Sequence, residues 1–166
     1  MITTTLNRIR AHRPCEGGWA KLLKGLGKTG GDDEPLPYAT IARINGLDDA
    51  LWCCMAEPQE WKTWRLFAVW CGRQVQDAMT DPRSVAALDV AERHANGEAT
   101  DDELSAAWSA AELAAAWSAA WSAARSVTES AARSAARSVA ESAAWSAARS
   151  AARSAQLAKF IEMVGE

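Results

Sequence analysis

The chain has 166 residues, 49% of them hydrophobic, with nine tryptophans and a formal net charge of −3. A chain of this length can bury roughly 70% of its unfolded surface in one core, so it needs no disulfide or metal staple, and its apolar content excludes disorder by composition. Residues 1 to 97 carry twelve basic and twelve acidic side chains and the remainder six and nine, which excludes the basic footprint of a non-specific nucleic-acid binder.

Arg8, Arg10, Arg13 and His12 cluster near the N-terminus and read as a solvated helix face rather than a phosphate clamp. Glu16 to Lys24 reads as a short helix, with Gly25 and Gly27 as C-terminal glycines. The stretch from Asp32 to Pro37 is a turn-rich connector, Tyr38 to Ile44 a short helix stopped by Asn45-Gly46, and Asp48 a cap for a helix running to about Ala56. Between about Glu60 and Met79, Trp64, Phe67, Ala68, Cys71, Val75, Ala78 and Met79 follow the spacing of one buried helical face. Trp52, Trp61, Trp64 and Trp70 accordingly read as core residues. Asp81-Pro82 predicts an N-cap followed by proline at the first helical position, with the helix closing at Gly97. Thr100 to Glu103 reads as a capping box. No segment shows sustained period-2 alternation, so no strand is expected.

The tail is a repeat. Twelve of the thirteen serines lie between Ser105 and Ser154, and from Ser118 the chain runs in tetrapeptides, mostly Ser-Ala-Ala-X. X is Trp121, Arg125, Glu129, Arg133, Arg137, Glu141, Trp145, Arg149 and Arg153 in turn. Four residues advance about 400° on a helix, so each X is displaced by about 40° from the last, and one straight helix would have no fixed buried face. Shorter stacked helices suit the pattern better. Ser126-Val-Thr-Glu129 and Ser138-Val-Ala-Glu141 fit the capping box and are the expected break points. Against this, no Gly or Pro occurs between Glu98 and Val164, which leaves one long helix as the alternative.

Few motifs suggest chemistry. Gly25-Leu-Gly-Lys-Thr29 resembles the end of a phosphate loop, but Leu22 occupies the position of its first glycine, so a helix C-cap and loop is the better reading. Of the four cysteines, Cys15, Cys53, Cys54 and Cys71, none forms a CxxC pair, and no context activates a thiol or completes a metal set with His12 or His94. No metal and no cofactor is expected. Met1 to Cys15 lacks the apolar run of a secretory signal, and no stretch of about 20 apolar residues occurs, which together point to a cytoplasmic protein with reduced thiols. Alternating Trp and Arg on small-residue helices would suit a contact surface, since both types are enriched at interface hot spots. The contact residues expected are Arg125, Arg133, Arg137, Trp145, Arg149 and Arg153, together with the acidic loop Asp32, Asp33 and Glu34.

Five blocks carry a resemblance: Leu6-Asn-Arg-Ile-Arg-Ala-His-Arg-Pro-Cys15, Asn45-Gly-Leu-Asp-Asp-Ala-Leu-Trp52, Arg65-Leu-Phe-Ala-Val-Trp-Cys71, Ala87-Leu-Asp-Val-Ala-Glu-Arg-His-Ala-Asn-Gly97 and the Ala-Ala-(Arg/Trp)-Ser tail. Together they are similar to the immunity-protein-five-like family of bacteria and tailed phages. The resemblance implies an all-helical protein that neutralises another protein, with no catalytic residues to carry over.

The fold expected is therefore all-α, a compact multi-helix bundle or HEAT-like helical stack with an alanine-rich repeat tail. It forms a single domain, with an N-terminal part (5–97) continuous with the tail (98–164). The function expected is binding without catalysis: an inhibitor or immunity-type protein, phage- or prophage-encoded, that blocks a toxin or a host defence complex, for example as anti-CRISPR proteins do. Its partner would be a protein, not nucleic acid or membrane, and self-association is compatible with the pattern. A structural helical-repeat scaffold is one alternative. A small enzyme using Cys, His or acidic residues is another, but the chain shows no converging nucleophile, base and oxyanion donor.

Overall fold

The computed structural model describes residues 1–79, 81–112 and 134–165. The fold is all-α. Eight helical segments are described: α1 (Leu6–Ala11), α2 (Glu16–Leu26), α3 (Tyr38–Asn45), α4 (Leu47–Cys53), α5 (Trp61–Arg73), α6 (Pro82–Ala95), α7 (101–112) and α8 (Ser134–Val164). The expectation of no strand fails in one place. β1 (Thr3–Thr4) pairs antiparallel with β2 (Leu36–Pro37), Thr3 opposite Pro37 and Thr4 opposite Leu36. A two-residue ladder is too short to impose any alternation on the sequence.

Two compact units make up the chain, Met1–Phe67 with Arg153–Glu166, and Ala68–Ala152. The core of the first is built from Leu6, Ile9, Leu22, Tyr38, Ile41 and Phe160, each no more than 2% exposed. Tyr38 has no exposed surface, and its hydroxyl donates to the Cys53 carbonyl at 2.7 Å. Phe160 stacks on Trp64 with ring centroids 6.0 Å apart and meets Phe67 edge-on at 5.3 Å. The chain ends are also tied together, because Ile2 N–H donates to the Val164 carbonyl at 2.6 Å while the Ile2 carbonyl accepts from Tyr38 N–H at 3.1 Å. In the second unit, Gly72 lets α5 and α6 approach: a Cβ there would come within 2.6 Å of the Leu88 side chain. Arg73 then bridges Asp89 at 2.6 Å and Glu92 at 2.9 Å on α6.

The helix punctuation read from the sequence holds where the signal is a cap. Gly27 ends α2 in the left-handed region, at φ +67. Thr100 and Glu103 exchange capping-box bonds, Glu103 N–H to Thr100 Oγ1 at 3.2 Å and Thr100 N–H to Glu103 Oε2 at 2.8 Å. Asp81 caps α6 by accepting from Arg83 N–H at 2.9 Å, with Pro82 in the first turn. The Arg83 side chain and amide together hold the Asp81 carboxyl down at about 2, below its ordinary 3.8. A depressed carboxyl stabilises the native state above its unfolded pKa and loses that contribution on protonation. The start of α6 should therefore stay intact down to pH about 4 and loosen between there and pH about 2. The Arg83 amide resonance followed by NMR should report this, with Asp81→Asn removing the transition; a midpoint at the ordinary carboxylate value would contradict it.

Other expectations are corrected. Asp48 does not cap α4; Gly46, at φ +95, occupies that position and Asp48 lies in the first turn. The helix expected to reach Met79 stops at Arg73 and a 3₁₀ turn follows at Gln76–Ala78. Val75 and Met79 consequently fall past the end of the helix, and Val75 is 56% exposed. Within α5 the buried residues are Phe67 and Val69, while Ala68 is exposed. Trp61, expected in the core, is 44% exposed, with the Arg65 guanidinium 5.4 Å above its ring.

The break expected at Ser138–Glu141 does not occur, since α8 runs unbroken for 31 residues, about 46 Å. Alanine propensity and the lack of Gly or Pro outweigh the capping-box signal there. The other expected break, Ser126–Glu129, lies outside the described residues. Among the described side chains of α8, Phe160 and Val164 are each 1% exposed, whereas residues 148–155 are exposed.

Candidate functional site

In the first unit, α1, α2 and α4 enclose an open cleft of about 290 Å³. Four residues of α2 and its cap line it, Cys15, Gly18, Trp19 and Leu22, spaced i, i+3, i+4 and i+7 on one helical face. From α4 come Asp48, Asp49, Trp52 and Cys53, two i, i+4 pairs side by side. Ile9, Pro14 and Asn45 complete the wall.

Local chemistry holds these elements in place. Cys15 is the N-cap of α2, its sulfur accepting from Gly18 N–H at 3.3 Å. The turn leading into it carries Arg13 at φ +57, a left-handed conformation that costs a non-glycine residue of order 1 kcal/mol and folds Pro14 onto the rim. Gly18 is small by necessity, for a Cβ there would lie 2.9 Å from Asp49 Oδ2 and 3.1 Å from Cys15 Sγ. Asn45, the last residue of α3, joins three helices: its amide donates to the Gly18 carbonyl at 2.8 Å and to Asp49 Oδ2 at 2.7 Å, and its own carbonyl accepts from Lys21 Nζ at 3.1 Å. Both hydrogens of that amide are thereby used, and its buried Oδ1 has no partner.

Among the described residues, the charged groups lining the cleft are the two carboxylates of Asp48 and Asp49. Asp48 is three-quarters exposed at the rim and pairs with Arg153 from the last turns of α8. Neither histidine lines the cleft. Burial, reinforced by the Asp49 charge, pushes the Cys53 thiol up to about 12, so it stays protonated near neutrality. Burial likewise pushes Cys54 up to about 12 and raises Cys71. Among the described residues no group of three or more His, Cys, Asp or Glu side chains is arranged to hold a metal ion. No helix among them is long and apolar enough to cross a membrane.

The contact residues expected from sequence are distributed differently. Lys28 Nζ closes on the acidic loop, 2.5 Å from both Asp32 Oδ2 and Glu34 Oε2, which leaves Asp33 exposed. The Lys28 hydrogen bond lowers the Asp32 carboxyl, and Lys28 is itself raised by its two partners. Gly25 to Thr29, the segment resembling a phosphate loop, thus ends a helix and delivers Lys28 to this triad. Arg149 is exposed, and Arg153 reaches Asp48. Arg137 and Trp145 lie on α8 where the side chains fall outside the described residues; Arg125 and Arg133 lie outside them entirely. Of those described, Arg153 is brought to the cleft by its pairing with Asp48, and the acidic loop does not line it.

Sequence reasoning missed the cleft residues Trp19, Asp48, Asp49 and Trp52. The signal was present as two short helical faces that each mix aromatic and small or acidic residues, but nothing in either face says that the two line one cleft. Comparison with protein-family models, curated proteins and solved structures finds no match to this chain.

Proposed function

We propose that this chain is a non-enzymatic binding protein that engages another protein through the α1–α2–α4 cleft and blocks it. The observation that carries this reading is the composition of the cleft: two half-buried tryptophans beside two carboxylates, at an open surface position. Tryptophan surrounded by well-packed neighbours is the side chain most enriched at interface hot spots. Catalysis is a poorer account of the same walls, since the Cys53 thiol is held protonated and no histidine is beside it. The similarity of the Leu6–Cys15 and Asn45–Trp52 blocks to immunity-protein-five-like sequences supports a toxin or a host defence complex as the partner, in a bacterial cell infected by or carrying a phage. Both blocks supply cleft residues, Ile9, Pro14 and Cys15 from the first, and Asn45, Asp48, Asp49 and Trp52 from the second.

The test is capture from bacterial lysate by the tagged full chain and by its Trp52→Ala variant, each first shown to melt cooperatively. A partner retained in stoichiometric amount by the parent and reduced at least tenfold by the variant is the expected result. Equal capture by both, or none by either, would overturn the reading.

A further inference from the structure

We infer that the α1–α2–α4 cleft recognises a guanidinium group, an arginine side chain presented by the protein it binds; this rests on the cleft being the binding surface. Its volume of about 290 Å³ falls just below the roughly 300–1,000 Å³ range of small-molecule pockets, which suits one long side chain better than a nucleotide or a cofactor. The polar groups of its wall ask for a donor. Asp48 and Asp49 offer carboxylate oxygens, and both Asn45 amide hydrogens are spent within the fold. Among the described residues no Lys, Arg or His lines the cleft itself, and the cation at its rim is Arg153 on Asp48. A cation is therefore the complementary charge, and the indoles of Trp19 and Trp52 are the best aromatic faces for one.

Arginine fits this combination better than lysine. Its planar fork can bond two acceptors at once, stacks on aromatic rings and sheds water more readily than an ammonium. The fold already contains an instance, since Arg153 sets its guanidinium on Asp48 at the rim. That internal arginine marks the carboxylate as accessible to such a group and competes with an incoming one.

The full chain is titrated with acetyl-Gly-Arg-Gly-amide and with the same peptide carrying citrulline, which keeps the shape of arginine and removes the charge. Indole N–H resonances, assigned with Trp19→Phe and Trp52→Phe variants, report occupancy. The arginine peptide should shift both resonances saturably and bind at least fivefold tighter than the citrulline peptide. Asp48→Asn/Asp49→Asn should weaken it about tenfold. If that variant melts lower, Asp48→Asn alone, at a three-quarters exposed position, should still weaken binding about threefold. Equal binding of the two peptides, no shift with either, or no loss in the carboxamide variants would overturn the inference.

Failure of this inference is distinguishable from failure of the binding-surface reading. A partner captured undiminished by the Asp48→Asn/Asp49→Asn chain but lost by Trp52→Ala overturns the guanidinium while the surface stands. A partner captured undiminished by Trp52→Ala overturns both.

Discussion

Phe160→Ala is expected to destabilise the protein by about 3–5 kcal/mol, the largest effect of any substitution among the described side chains of α8. The side chain is 1% exposed and lies at the end of a helix whose residues 148–155 are exposed. It stacks on Trp64 at 6.0 Å and meets Phe67 edge-on at 5.3 Å, while Tyr38 contacts Trp64 at 5.0 Å, so four aromatic rings form one cluster. Truncation removes the ring's burial, leaves a cavity and abolishes two aromatic contacts, each contributing about 0.5–1.5 kcal/mol beyond its area. Val164 is the other buried residue of this end, and its carbonyl accepts from Ile2 N–H. Denaturant unfolding of the variant, followed by tryptophan fluorescence, measures the loss, and Trp108→Ala, at a 58% exposed position, should stay within about 0.5 kcal/mol of the parent. A loss below about 1 kcal/mol for Phe160→Ala would mean that the end of α8 is not an anchor.

Arg8→Ala is expected to cost about 2–3 kcal/mol, more than Glu57→Gln. Glu57 is 1% exposed, and Arg8 Nη1 donates to its Oε2 at 2.8 Å. Gln59 donates to the same oxygen, whereas Oε1 has no partner. Taking away Arg8 strands a buried carboxylate with one donor, and taking away the Glu57 charge merely releases a half-exposed arginine to water. The exposure of Arg8 keeps the figure below the 3–5 kcal/mol typical of removing one partner of a fully buried pair. In a double-mutant cycle, Arg8→Ala/Glu57→Gln should be more stable than Arg8→Ala alone. An Arg8→Ala chain within about 0.5 kcal/mol of the parent would refute the role assigned to the pair.

The features legible in the sequence share one physical property: each is decided within a few residues. Gly27, Asp81-Pro82 and the Thr100–Glu103 box were readable because a cap is a bond between a side chain and a backbone group two or three residues away. The all-α character followed from the same local terms summed along the chain. Where a local signal met a competing one of similar size, the reading failed: Ser138–Glu141 has the capping-box pattern, yet alanine propensity on both sides carries α8 straight through it. The stripe from Trp64 to Met79 misled for a related reason, since periodicity has meaning only while the helix continues, and α5 ends at Arg73.

The cleft depends on contacts over longer distances. Trp19 and Trp52 stand thirty-three residues apart in the chain and acquire a common wall because Asn45 bonds to α2 and α4 at once. Arg153 was singled out for a surface ridge of the repeat and instead lies on Asp48, more than a hundred residues earlier. By itself, then, the sequence determined that this is a helical protein with an alanine-rich tail, because helix propensity, caps and breakers act between near neighbours. Only the tertiary structure decided which tryptophans line one cleft, which carboxylates lie beside them and that Phe160 and Val164 are buried, because those follow from burying apolar area between segments whose separation no local pattern encodes.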